Sequence, residues 1–369
     1  MEDTPQVKRY HKTRRILGVA AFLLDIAVLL VLLFAGGSVR LRALATSWCA
    51  PPALALLIYL VFFGVITKAA GLPLDFARGF WLEHRYGLSN LTVVGWIKDQ
   101  LKGFIVGGVL AALGLECLYW TMRRWPEYWW LISGALFVAF FVLLTHLAPL
   151  LIFPLFFKFK PLENPRLTER LLALSRRAGT HVRGVFVWKL SEKSKKANAA
   201  LVGLANTRRI ILADTLLEKL NDDEVEAVLA HELGHHVHHH ILHSLAVQSV
   251  ATFLGFYLVH VALLHVRGSF GLVGLAHFAN LPLLGLVGTT LSLVLLPILN
   301  VHSRFMECQA DAYALGAIPG KSAFISSMEK LAELNLAERH PPAWIEFVFH
   351  SHPSTEKRIA FARQFPDQS

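Results

Sequence analysis

Charge is scarce in this chain: 17% of its 369 residues are Asp, Glu, Lys or Arg. An ordinary soluble domain carries about a quarter. Hydrophobic residues reach 54%, and the mean hydropathy is +0.49. The shortfall excludes a water-soluble protein of ordinary composition and points to segments that never meet water. Cysteine is scarce as well. Cys49, Cys117 and Cys308 are dispersed and odd in number, so neither a disulfide framework nor a CxxC metal site is encoded. Repeats of fixed period are absent, and the histidine cluster that follows residue 230 is the one biased tract.

The apolar residues gather into runs. A helix crosses a bilayer core with about 20 mostly apolar residues. Segments 16–36, 52–67, 103–120, 128–151, 245–266 and 281–299 meet or approach that length. The acidic residues inside them are Asp25 and Glu116, and no Lys or Arg lies there. The first run is too long for a signal-peptide core and carries Asp25, so it reads as a retained helix. The fold class is therefore mainly α: a polytopic transmembrane bundle of about six helices. Residues 1–152 form an N-terminal region of four spans, broken by a polar stretch at 68–102. Residues 153–369 form a polar domain with two further spans inserted at about 245–299.

The net charge of +10 reads as membrane topology rather than nucleic-acid binding, because cytoplasmic flanks collect Lys and Arg. Lys8, Arg9, Lys12, Arg14 and Arg15 precede the first run and place the N-terminus in the cytoplasm. The outer loops then hold only Arg40, Arg42, Arg123, Arg124 and Arg267. The inner basic surplus faces anionic lipid headgroups, which makes the bilayer a partner. An even number of spans returns 153–243 and 301–369 to one membrane face.

In the polar domain, segment 183–190 is β-rich. Segments 198–204 and 208–212 flank Ala205-Asn206-Thr207 as a hairpin. Asn221 and Glu224 then match a capping box, and apolar Val225, Val228 and Leu229 follow at helical spacing. That helix runs into His231-Glu232-Leu233-Gly234-His235, an HExxH zincin motif. Residues i and i+4 share a helix face, so both imidazoles reach one ion. Glu232 stands aside, where it can take a proton from a water that the metal activates.

The third ligand is not local. A metzincin would need Gly at 238 and His at 241, where this chain has His238 and Ile241. His239 and His243 extend the same face of a straight helix, but His239 is about 12 Å along the axis from His231. The best distant candidate is Glu307, with Asp311 one helical turn on, placed to orient a ligating imidazole. His236, His238, His239, His240 and His243 read as solvated or interfacial residues where the helix enters the membrane.

These motifs resemble the type I CAAX prenyl proteases and their bacterial relatives, which are membrane gluzincins. Residues 82–89 (LEHRYGLS) are similar to the family's loop between early spans. Asn198-Ala199-Ala200 with Gly203, then Arg209 to Leu217, resemble its substrate-facing strand pair. His231, His235 and Glu307 match its zinc positions, Glu232 its base and Asp311 the residue behind a ligand. The run 351–358 (SHPSTEKR) is the last match. The resemblance implies a zincin-like metallopeptidase domain with a small β-sheet on the cytoplasmic side, holding one Zn2+ per chain. It implies that His352 stabilises the oxyanion and that Arg358 binds a substrate carboxylate or bridges to the site. It also implies a peptide or protein substrate cut near its C-terminus. Asn198 and the strand it opens offer an edge along which such a substrate could add.

The chain is shorter than the eukaryotic members and has six spans against their seven. A bacterial-type relative acting on other membrane-associated peptides, or a quality-control peptidase of the same clan, is the alternative expectation. A metal or proton transporter would need facing ionisable groups within its spans, and a pseudo-enzyme would not need intact HExxH, Glu307 and His352.

Overall fold

The computed structural model describes residues 3–203, 208–266 and 268–366. The expected turn at Ala205-Asn206-Thr207, and Arg267, lie outside the described residues. Helix α1 (Pro5–Phe34) opens on Thr4, whose hydroxyl accepts from the Val7 N–H. The basic residues expected in a free tail thus sit on its first turns. Helix α2 (Gly37–Trp48) has 12 residues, too few to cross a bilayer. Helix α3 (Pro52–Phe76) continues through a π-helical turn (Ala77–Trp81) into α4 (Leu82–Arg85). Helices α5 (Val93–Arg124), α6 (Trp129–Leu147) and the short α7 (Phe153–Phe156) follow.

The stretch at 68–102, read as polar and separating spans, is mostly helix. Lys68 donates to Asp75 at 2.6 Å and to Gln100 of α5 at 2.7 Å. These polar groups satisfy one another across α3 and α5, so neither helix has to end for them to be solvated.

The polar domain contains β1 (Phe159–Pro161), α8 (Pro165–Arg177), β2 (Val185–Trp188), β3 (Ala199–Val202), β4 (Arg209–Ala213), α9 (Asp214–Leu217) and α10 (Asp222–Val237). The sheet order is β1-β2-β4-β3. Strands β2 and β4 are parallel, and the outer pairs are antiparallel. Strand β3 is therefore an edge. Leu167, Leu171 and Leu174 fall on one face of α8 and pack with Val185, Ile210, Leu212 and the apolar side of α10 into the domain core.

Helices α11 (His240–His265), α12 (Leu281–Ala317), α13 (Lys321–Leu334), α14 (Ala343–Phe349) and α15 (Thr355–Gln364) complete the chain. Among the described residues, six helical stretches are long and apolar enough to span a membrane: α1, α3 through α4, α5, α6, α11, and α12 with its lead-in. Each contains or largely overlaps one of the six runs expected from sequence. Helix α12 has 37 residues, or about 55 Å, against a hydrocarbon core of about 30 Å. Its C-terminal third projects beyond the bilayer and enters the core of the polar domain through Ala314 and Leu315.

Candidate active site

The site is built where α10 crosses α12. Asn221 caps α10 by accepting from the Glu224 N–H at 2.9 Å, and Glu224 accepts from the Asn221 N–H at 2.8 Å. Val225, Ala227, Leu229, Ala230 and Leu233 are buried, so α10 is surrounded by protein rather than lying on a surface. Gly234 sets its distance from α12. A Cβ there would stand 2.8 Å from the Ala310 Cα and 3.0 Å from the Ala310 carbonyl oxygen. Only a residue without a side chain permits that approach.

The close crossing brings Glu307 to the two imidazoles. His231 Nε2 lies 3.3 Å from Glu307 Oε2, and His235 Nε2 lies 3.4 Å from Glu307 Oε1. The two Nε2 atoms are 3.3 Å apart. One ligand atom from each of His231, His235 and Glu307 falls within 4.8 Å of the others, as a metal site requires. Glu307 Oε2 is buried with no hydrogen-bond donor, an arrangement that suits a cation. The two-imidazole, one-carboxylate donor set is that of an open zinc site.

Asp311, one turn further along α12, faces the outer side of His231. Its Oδ1 is 2.8 Å from His231 Nδ1. Arg358 near the start of α15 grips the same carboxylate, Nε to Oδ2 at 2.8 Å and Nη2 to Oδ1 at 2.6 Å. Burial disfavours the charged His231, but Asp311 and Glu307 outweigh it and hold its pKa up at about 9. Burial pushes the Glu232 carboxyl above its ordinary range, with the neighbouring imidazoles opposing. His352 Nε2 lies 3.3 Å from Glu307 Oε1, and the ring is 59% exposed.

A cavity of about 590 Å³ opens over the site, and Asn198, His231, Glu232, His352 and Arg358 all line it. The polar residues expected from sequence at 198, 231, 232, 352 and 358 therefore line one cavity. His11 and Arg14 of α1, with Asn335 and His350, also line the cavity, and the sequence reading missed them. Tertiary contacts bring them there. Asp3 accepts from the Arg339 and His340 N–H groups, and Arg15 donates to Glu338 at 2.6 Å. No local pattern announces such contacts.

The histidine cluster departs from the straight, solvated extension expected. Helix α10 ends at Val237, and His239 adopts a left-handed conformation with φ 55°. His239 and His243 are exposed, but His240 is buried and bonds to His235. His236 bonds to the Leu201 backbone of β3. The break interrupts the helix before α11, so this tract does not follow one helix face.

With a largely buried two-His, one-Glu cluster beneath a cavity, the relatives can be compared. The family described as peptidase family M48 matches residues 161–365, more than half of the chain. The chain belongs to peptidase family M48. A second family, the CAAX prenyl protease N-terminal region with five membrane helices, matches residues 2–158. In that region α1, α3, α5 and α6 are long enough to span, and α2 is short. An uncharacterized metalloprotease of Bacillus subtilis, YhfN, is 31% identical over 310 residues, covering 83% of this chain and 72% of the relative. CAAX prenyl protease 1 homolog of Arabidopsis thaliana is 31% identical over 310 residues, covering 80% of this chain and 71% of the relative. The crystal structure of S. mikatae Ste24p matches with a TM-score of 0.85 at 25% identity, covering 96% of this chain and 87% of that one. This M48 member is an integral multi-pass membrane metalloprotease of the CAAX prenyl protease type.

Proposed function

We propose that the chain is a zinc endopeptidase that cuts membrane-associated peptides near their C-termini, CAAX-type substrates among them, at the cytoplasmic face. The observation that carries this reading is the convergence of His231, His235 and Glu307 within 4.8 Å, with a Glu307 oxygen that lacks a donor. His231, His235 and Glu307 would hold one Zn2+ per chain. When bound, zinc supplies a Lewis acid that polarises water and the scissile carbonyl. Glu232 takes a proton from the attacking water and returns it to the leaving amine. Burial strengthens its hold on that proton. His352, exposed to the cavity, donates to the oxygen on which negative charge develops. Asp311 accepts from His231 Nδ1 and turns the Nε2 lone pair inward. Arg358 has both Nε and Nη2 committed to Asp311, which favours a bridging role over capture of a substrate carboxylate. Asn198 and the edge of β3 offer the substrate backbone a strand to pair with.

The test is Glu232→Gln. The variant is expected to keep one zinc per chain and to lose about 10²- to 10⁴-fold in hydrolysis. Proteomics of membrane peptides from cells with active protein against this variant identifies the substrates. Peptide cleavage at the unmodified rate by the pure, metal-loaded variant would overturn the assignment.

A further inference from the structure

His240 occupies a position the other clustered histidines do not. The left-handed turn at His239 is costly for a residue with a Cβ. It brings the first residue of α11 back against α10. His240 is 3% exposed, and the His238 ring stacks on it at 5.6 Å. Its Nδ1 lies 2.9 Å from His235 Nδ1, and its Nε2 lies 3.0 Å from Gln309 Oε1 on α12.

The direction of these bonds follows from the metal site. His235 Nε2 faces His231 and Glu307. A neutral ligating imidazole must present its lone pair there, which leaves its proton on Nδ1. Two Nδ1 atoms at hydrogen-bond distance need one donor and one acceptor, so His240 Nδ1 accepts. The His240 proton then sits on Nε2 and is donated to the Gln309 carbonyl oxygen. The opposite order would turn a proton of His235 toward the cation.

We propose that His240 and Gln309 are positioning residues for the metal: a two-bond relay that holds the His235 proton on Nδ1. It is the uncharged counterpart of Asp311 behind His231, and it rests on the zinc reading above. Because His240 opens α11 and Gln309 lies on α12, the relay ties one ligand to two membrane-crossing helices.

The experiment uses the full chain in detergent, with His240→Phe, Gln309→Leu and Gln309→Glu. Zinc affinity is read by competition with a chromophoric chelator, the ligand field by Co2+ absorption, and folding by metal-free melting. His240→Phe is expected to weaken zinc binding about 10- to 100-fold and to shift the Co2+ bands. Gln309→Leu should act in the same direction by less. Gln309→Glu, a stronger acceptor for the His240 proton, should exceed the parent affinity. If His240→Phe does not fold, the two Gln309 variants carry the test through their opposite signs. Parent-like zinc affinity in every folded variant would overturn the relay while leaving the zinc site standing, even if metal-free melting falls. Failure of the parent chain to bind zinc would instead remove the proposed function and the relay together.

Discussion

Asp311 faces His231 with Oδ1 and Arg358 with both of its oxygens. The carboxylate, itself buried, is thereby paired on both sides, which makes its burial tolerable. Glu307 is different: both of its oxygens face the two imidazoles, and Oε2 makes no well-formed hydrogen bond. His352 stands apart again, being 59% exposed and reaching the cluster only through Glu307 Oε1. His352→Ala should therefore lower kcat by about 10²- to 10³-fold, the usual loss of one oxyanion donor. KM and the melting temperature should change little. A purely structural role would show the reverse in steady-state kinetics and melting scans. The residues of HExxH were legible because i, i+4 spacing is a local property. Glu307 and Asp311 were legible as a helical pair. The contacts of His240 were not, because they depend on a left-handed backbone at His239 that residue type does not encode.

Helix α10 is fixed at both ends by contacts that can be tested separately. At the C-terminal end, Gly234→Ala would drive a methyl into the Ala310 backbone. Overpacking of this kind costs about 1–3 kcal/mol, and separating α10 from α12 moves Glu307 off the imidazoles. The expected outcome is lower zinc affinity together with a lower melting temperature. At the N-terminal end, burial opposes the charge of Glu224, but Lys330, Ser326 and the Asn221 N–H outweigh it and hold its pKa below the ordinary 4.5. The unfolded chain then binds more protons than the folded one as pH falls through this window. Glu224 thus contributes stability above the unfolded pKa and loses it on acidification through the folded one. Glu224→Gln should flatten the decline of melting temperature as pH falls through and below about 4.5.

For the whole molecule, an even number of spans carries the two polar segments to one membrane face, where α10 and the end of α12 meet. The chain segments that form the candidate metal site are separated in sequence by α11 and the apolar part of α12. A cation that binds His231, His235 and Glu307 stabilises only the state in which they meet. Zinc at about 100 times its Kd should therefore add about 2.7 kcal/mol to folding. That gain, read as a rise in melting temperature, should vanish in Glu307→Ala. The cavity above the site belongs to this scale too, since α1 and the 335–350 segment wall it from opposite ends of the chain.

The sequence by itself determined the membrane class, the six spans and the zincin motif. Each depends on composition or on spacing along one helix, which are local quantities. Only the tertiary structure decided how closely α10 approaches α12, where the histidine tract turns, and which distant side chains wall the cavity. Those outcomes depend on excluded volume at Gly234, the satisfaction of buried polar groups and contacts between remote segments. No window of neighbouring residues contains that information.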